Sequence, residues 1–303
     1  MVVIVEDAHW IDAVSESMLA DFLAVNPQTA SMVLITSRPE YAGPLLRAPV
    51  AQQISLGPLG DSDITALLGE LLGSDPSVEE LVTVIVERAA GNPFFAEEMV
   101  REMVQRGVLD GERGGYTCRA NVAEVSVPAT VAVAIGARID RLGDAARQTL
   151  NAASVIGIRF DAEILSALGI HTAFDELLAA EVIDQVRLRP SAEYAFRHPL
   201  IRTVAYEAQL KSDRAQWHRR VAATMAAAME DRAAESVDEN AALIAEHLQA
   251  AGDLVAAYRW HMRAGAWSAN RDLVAARLSW QRALPIADAL PADGGRIGPI
   301  LAR

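Results

Sequence analysis

Cysteine is almost missing: Cys118 is the only one in 303 residues. No internal disulfide can form, and the expected setting is a reducing, cytoplasmic one. Lysine is as scarce, since Lys211 is the single lysine among 27 basic residues. Aromatics make up 5% of the chain, so small apolar residues dominate its 51% hydrophobic content, which suits closely packed helices. No apolar run reaches the length of a membrane helix, so no membrane partner is expected. Residues 1–30 lack a basic start followed by an apolar stretch, so no secretory leader is read there. Positive charge is also short: 40 acids against 27 bases leave a net charge of −13. A broad nucleic-acid footprint needs clustered Lys and Arg, so DNA binding is not expected of this chain, and only a small local basic patch stays open.

What is present begins at the first residues. Val2-Val3-Ile4-Val5 is an uninterrupted apolar run that ends in Glu6-Asp7. Such a run reads as a strand buried on both faces of a parallel sheet. Ligands of open parallel sheets sit beyond the carboxyl ends of the strands, where acids can hold a metal ion and orient water. Successive strand side chains face opposite ways, so only one of the two acids can aim directly at a ligand. A helix over 13–25, capped by Asp12 or Ser15, carries the stripe Met18, Leu19, Phe22 and Leu23. Met32–Ile35 is a second apolar strand, making a βαβ unit, and a third strand is expected near Gln53–Leu56.

Helix then takes over. Helices are expected from Asp61, from a capping box at Ser77-Val78-Glu79-Glu80 to Ala89, and from Asn92-Pro93 to Gly107. A hairpin follows over 108–125. Next come helices from Pro128 to Leu142 and at 144–156, 161–168 and 172–181. Strands Val182–Leu188 and Tyr194–Arg197 turn at Pro190-Ser191. Three helices and a hairpin over 128–200 suggest a winged helix. Beyond 198 all reads as helix, with an internal repeat. Asp253-Leu254-Val255-Ala256-Ala257 recurs 19 residues on (272 − 253) as Asp272-Leu273-Val274-Ala275-Ala276, which suggests a tetratricopeptide-like array. The aromatic series Trp217, Tyr258, Trp260, Trp267 and Trp280 is expected to fill its core. His9 and Asp12 read as helix-start residues rather than metal ligands.

Val2–Asp12 resembles the Walker B segment of P-loop ATPases. The string from Val5 to Asp12 is similar, more narrowly, to the STAND class of AAA-type signal-transduction ATPases, which includes LuxR-type regulators and modules beside adenylate cyclases. The resemblance extends to three further places. Leu34–Pro39 is similar to the family's sensor strand, which implies that Arg38 lies near the γ-phosphate. Gly91-Asn92-Pro93 is similar to the Gly-x-Pro motif, whose proline meets the adenine. Phe196–Leu200 resembles the end of the family's winged helix, implying a phosphate contact for His198. Glu6 and Asp7 are then the catalytic pair, with either one as the Mg²⁺ ligand, since the general pattern places Asp first.

The same comparison exposes a gap. A P-loop needs Gly-x-x-x-x-Gly-Lys-Ser/Thr to cradle phosphates, and no Gly-Lys pair occurs in this sequence. The expected fold is mainly α with an N-terminal α/β part. It comprises a partial parallel-sheet ATPase remnant with helical lid at 1–125, a winged-helix-like domain at 126–200 and helical repeats at 201–303. The expected function is that of an N-terminally truncated STAND-type regulator without its P-loop. It would use ATP or ADP and Mg²⁺ as a nucleotide switch in transcription regulation or signalling, and would not hydrolyse ATP alone. The repeats would take a protein partner or small effector, and an upstream ATPase or cyclase segment would complete it. Remaining strands without their neighbours would expose apolar edges and faces. The alternative is a non-catalytic helical scaffold that binds partner proteins.

Overall fold

The computed structural model describes the whole chain except Asp12 and residues 49–50, 120–126, 189–190, 231–237 and 291–303. The Asp12 cap, the Pro190 side of the hairpin turn, the 125/126 boundary and the Pro/Gly-rich tail therefore lie outside the described residues. The fold is mainly helical and divides into two compact units, residues 1–56 with 258–303, and residues 57–257.

In the first unit, β1 (Val2–Val5) pairs in parallel with β2 (Met32–Ile35), in the register Val2↔Met32 to Val5↔Ile35. The helix α1 (Ala13–Val25) crosses between them, as the βαβ spacing demands. Strand alternation sends Val5, Val33 and Ile35 onto a small core with Ala8, Leu23 and Leu45. The other face, with Val2, Ile4, Met32 and Leu34, is exposed. Burial on both faces, expected from the apolar runs, is thus corrected to burial on one. Met18 is exposed rather than part of the α1 stripe. Gln53–Leu56 is not a strand: it finds no ladder partner, and Ile54 and Leu56 face solvent.

The second unit opens with α2 (Asp61–Leu72), α3 (Glu79–Ala89) and α4 (Pro93–Gln105). Apolar residues at helical spacing bring Ile64, Leu68, Leu72, Leu81, Ile85, Met99 and Met103 into one fully buried core. Truncating any of these to Ala would cost roughly 2–5 kcal/mol. The cap before α3 differs from expectation. Asp75, not Ser77, accepts the backbone N–H of Ser77 at 2.9 Å, while the Ser77 hydroxyl accepts from the Cys118 N–H at 2.9 Å. A minimal hairpin follows, β3 (Leu109–Asp110) with β4 (Thr117–Cys118).

Next come α5 (Val131–Asp140), α6 (Asp144–Ile156), β5 (Arg159–Asp161), α7 (Ala162–Ala167) and α8 (Phe174–Ala179), then β6 (Ile183–Arg187) and β7 (Glu193–Phe196). The helix expected from Pro128 starts instead at Val131, because Thr130 caps it by accepting from the Val133 N–H. The three strands form an antiparallel sheet in the order β5-β7-β6. Then α9 (Pro199–Glu207), α10 (Lys211–Glu230), α11 (Ala241–Ala250) and α12 (Leu254–Ser268) follow, and α13 (Leu273–Ala289) lies in the first unit.

The sequence repeat is a repeat of helix starts. Asp253 accepts the Ala256 N–H at 3.1 Å, and Asp272 accepts those of Val274 and Ala275 at 2.9 and 3.0 Å. The aromatic series is not core. None of its members is fully buried, and Arg220, Arg263 and Arg271 lie over Trp217, Trp260 and Trp267 at 4.5, 4.9 and 4.6 Å. These half-buried rings are each capped by a guanidinium three or four residues further along the chain.

Candidate functional site

Glu6 and Asp7 follow β1 directly, and Thr36, Ser37 and Arg38 follow β2. Parallel pairing places both strand ends on one edge of the sheet. Three bonds stitch that edge: Thr36 N–H to the Val5 carbonyl at 2.9 Å, Ala8 N–H to the Thr36 carbonyl at 2.8 Å, and Asp7 N–H to Thr36 Oγ1 at 3.0 Å. Asp7 is left-handed, with φ 54° and ψ 41°. Asp tolerates this region better than most residues, yet the conformation costs about 1 kcal/mol. It turns the chain into the 3-10 turn Ala8–Trp10, with His9 Nδ1 3.9 Å from the Asp7 carboxylate. Glu6, Asp7 and Arg38 are exposed. The Arg38 carbonyl also accepts the Tyr41 N–H at 3.1 Å, closing a turn around Pro39.

In the second unit, two helix starts meet. Ala90 (φ 47°) and Gly91 (φ 77°) are both left-handed. A Cβ on Gly91 would stand 2.5 Å from the Leu59 carbonyl oxygen, so only glycine fits this corner. Asn92 then caps α4 by accepting the Phe95 N–H at 3.1 Å, with Pro93 at the first helical position. His198 caps α9 in the same manner: its Nδ1 accepts the Leu200 N–H at 3.1 Å, and Pro199 follows. In the neutral ring that bond assigns the proton to Nε2. The rings of Phe94 and His198 stack with centroids 4.0 Å apart and planes 12° apart. The stack brings the start of α4, with Pro93, beside the start of α9 at His198.

Beside this junction lies a charge network that the sequence reading missed. Arg138 on α5 is buried and reaches both oxygens of buried Glu98 on α4 at 2.7 Å, and it donates to the Glu181 carbonyl at 2.8 Å. Arg101 pairs with Glu98 and with Glu181, which also pairs with Arg197 at 2.8 Å. Arg141 makes a forked pair with Glu102 at 2.5 and 2.7 Å. Burial pushes the Glu181 carboxyl up, but Arg101 and Arg197 outweigh it and hold it below the ordinary carboxylate range. Burial lowers Arg138, and Glu98 counters it. The signal in the sequence was the matched spacing, with Glu98 and Glu102 one turn apart on α4 and Arg138 and Arg141 one turn apart at the end of α5.

These residues do not by themselves form a nucleotide site. Two acids and an arginine sit at one sheet edge, and a proline and a histidine sit at one helix junction of the other unit. No Gly-Lys pair offers a phosphate cradle. Among the described residues, no group of three or more His, Cys, Asp or Glu is placed to hold a metal ion.

Comparison with known proteins agrees with this picture at the level of the fold. A family model described as "Domain of unknown function (DUF8739)" matches residues 60–115. An uncharacterized protein, R02095, of Rhizobium meliloti (strain 1021) is 30% identical over 296 residues, covering 94% of this chain and 28% of that protein. Among solved structures, a Signal Transduction ATPase with Numerous Domains (STAND) protein with a tetratricopeptide repeat sensor from Pyrococcus horikoshii is similar. Its TM-score is 0.53 at 13% identity, covering 95% of this chain and 43% of that one. The chain thus spans about a quarter of the Rhizobium protein and less than half of the Pyrococcus one. The last similarity supports a STAND-like helical architecture. Among the described residues, no helix is long and apolar enough to cross a membrane.

Proposed function

We propose that this chain is the regulatory segment of a STAND-like signalling protein, switched by a bound nucleotide and read out through its helical repeats. The observation that carries the reading is the Phe94–His198 stack, which joins the starts of α4 and α9. The sheet β5-β7-β6 with the helices around it would be the winged helix, and β1-β2 with its acid edge the ATPase remnant. In the assembled protein, Arg38 and His198 would face the phosphates and Pro93 the base. Glu6 or Asp7 would hold Mg²⁺, and the phosphate cradle would come from another segment. ATP or ADP would then bias docking between the parts, and a protein partner or small effector on the repeats would shift that balance.

The test is titration of the purified chain with a fluorescent ADP analogue, with and without Mg²⁺. Binding that Asp7→Ala and His198→Ala each weaken by about tenfold is the expected result. No binding under Mg²⁺ favours the second reading, a nucleotide-free scaffold for partner proteins. The absence of any Gly-Lys pair is the observation on that side.

A further inference from the structure

Several helices of the second unit end on a left-handed residue whose N–H bonds to the carbonyl three residues back. After α4, α7 and α11 that residue is glycine: Gly107 (φ 71°), Gly169 (φ 68°) and Gly252 (φ 77°). The helix α8 ends in the same way, yet its left-handed residue is Glu181 (φ 55°). The Glu181 N–H bonds to the Leu178 carbonyl at 2.9 Å, and the Val182 N–H to the Leu177 carbonyl at 3.1 Å. This bond pair closes a helix on a residue that is usually glycine. A residue with a Cβ is strained there, and glycine would not be.

Packing does not explain the glutamate, since its side chain is 44% exposed. Its polar contacts do. The carboxylate pairs with Arg101 on α4 and, at 2.8 Å, with Arg197 just after β7. Its backbone carbonyl accepts Arg138 of α5 at 2.8 Å. One strained residue thus gathers guanidinium groups from three elements. A strained conformation persists where its surroundings over-determine it, and such positions cluster where geometry serves function.

Those contacts lead to the Phe94–His198 stack. Phe94, Glu98 and Arg101 follow at i, i+4 and i+7, on one face of α4. Arg197 directly precedes His198. Its N–H bonds to the Val182 carbonyl at 3.1 Å, one step past the pair Ile183↔Phe196 in the ladder. The next pair out is Glu181 and His198. The pairs Glu98–Arg138 and Glu102–Arg141 join α4 to the region of α5. The bridge Arg101–Glu181–Arg197 instead joins α4 to the strand end that carries His198. Glycine at 181 would keep the turn and lose the bridge.

We infer that Glu181 is a positioning residue: through Arg101 and Arg197 it holds His198 stacked on Phe94, and so keeps the starts of α4 and α9 together. This deepens the proposed function, whose carrying observation is that stack, and rests on it. The turn at 181 favours loss of the side chain, whereas the stack favours its retention. That opposition separates a role in the turn from a role in the stack.

The experiment uses the full chain without nucleotide, with histidine and phenylalanine rings isotope-labelled for NMR. His198→Gln assigns the His198 ring signal, and Phe94→Leu gives its position without the stacked ring. Glu181→Gln removes the charge and keeps the side-chain length, while Glu181→Gly removes both the charge and the strain. Each should shift the His198 signal most of the way to its Phe94→Leu position and erase the ring-to-ring Overhauser contact with Phe94. Asp184→Asn removes a longer pair, 3.8 Å, to the same Arg197, and should leave both readouts unchanged. The buried His218 and His247 report the fold and should keep their signals in every variant. Retention of the ring contact in either Glu181 variant would overturn the inference. So would its equal loss in Asp184→Asn, or displacement of the His218 and His247 signals together with that of His198. The ADP titration is a separate measurement, so failure of the nucleotide reading and failure of this positioning role are told apart.

Discussion

At the scale of single residues, the Glu98–Arg138 pair carries the sharpest expectation. Both partners are buried, and the guanidinium engages both carboxylate oxygens. Removing one partner strands a charge in a low-dielectric site. Arg138→Met should therefore lower unfolding free energy by roughly 3–5 kcal/mol, and Glu98→Leu similarly. The double variant should recover most of that loss, since an apolar pair of similar volume replaces two desolvation costs. Urea denaturation of the four proteins checks the cycle, and additive losses would show that the pair is not coupled. Such positions were only partly legible. Gly91-Asn92-Pro93 could be read as a corner because each residue acts through its own backbone preference. The Glu98–Arg138 bond joins residues 40 apart, and the spacing of charges on one helix does not say which helix answers them. Trp260 and Trp267 were misjudged because ring size signals burial, whereas these rings are covered from outside by Arg263 and Arg271.

At the scale of elements, α10 and α11 meet through two buried histidines. His218 Nδ1 and His247 Nδ1 are 2.8 Å apart, and His218 Nε2 is 3.0 Å from the Tyr206 hydroxyl on α9. One proton must lie between the two Nδ1 atoms, so a doubly protonated pair loses this bond. Burial first, then His247, Arg202 and Arg214, push His218 down from 6.5 to about 4. Burial also lowers His247, with Arg202 adding to it and Glu246 opposing. A folded-state pKa below the unfolded one means the unfolded chain binds the proton first. Stability is then full above pH 6.5 and falls as pH drops from 6.5 toward 4. The His218 contribution is on the order of 2–3 kcal/mol. Unfolding free energies from urea denaturation at pH 7.5 and at pH 4.5 should differ by that much, and His218→Gln should flatten the difference. An unchanged pH slope in the variant would remove the histidine pair as its cause. Element types were the most legible layer. Apolar runs and caps announced β1, β2 and α4 because those signals are local. The strand β5 was missed because Arg159-Phe160-Asp161 is three residues long, too short for its alternation to stand out, and it pairs with the distant β7. Gln53–Leu56 failed for the converse reason, having strand composition and no partner.

At the scale of the whole molecule, the exposed face of the β1-β2 sheet sets solution behaviour. Val2, Ile4, Met32 and Leu34 form an apolar patch beside open strand edges. The purified chain should scatter more light with increasing concentration at neutral pH despite its charge. Replacing Ile4 and Leu34 by Thr should reduce that scattering while leaving the unfolding free energy within about 0.5 kcal/mol, since these side chains are exposed and Thr suits a strand. Scattering that persists unchanged would place the sticky surface elsewhere. Here the sequence was legible only in part: the unbroken apolar runs announced β1 and β2 but were read as burial on both faces, because a run without polar residues does not say which face a neighbour covers.

The paired helix starts at Asp253 and Asp272 have a consequence for how such a protein can change over generations. Each aspartate side chain holds amides in the first turn of its own helix, while its own backbone N–H bonds back to the end of the helix before it. A copied segment of this kind arrives with its own instruction for where to begin folding. Lengthening or shortening the array is then a matter of copying or deleting cassettes, each with its own start signal.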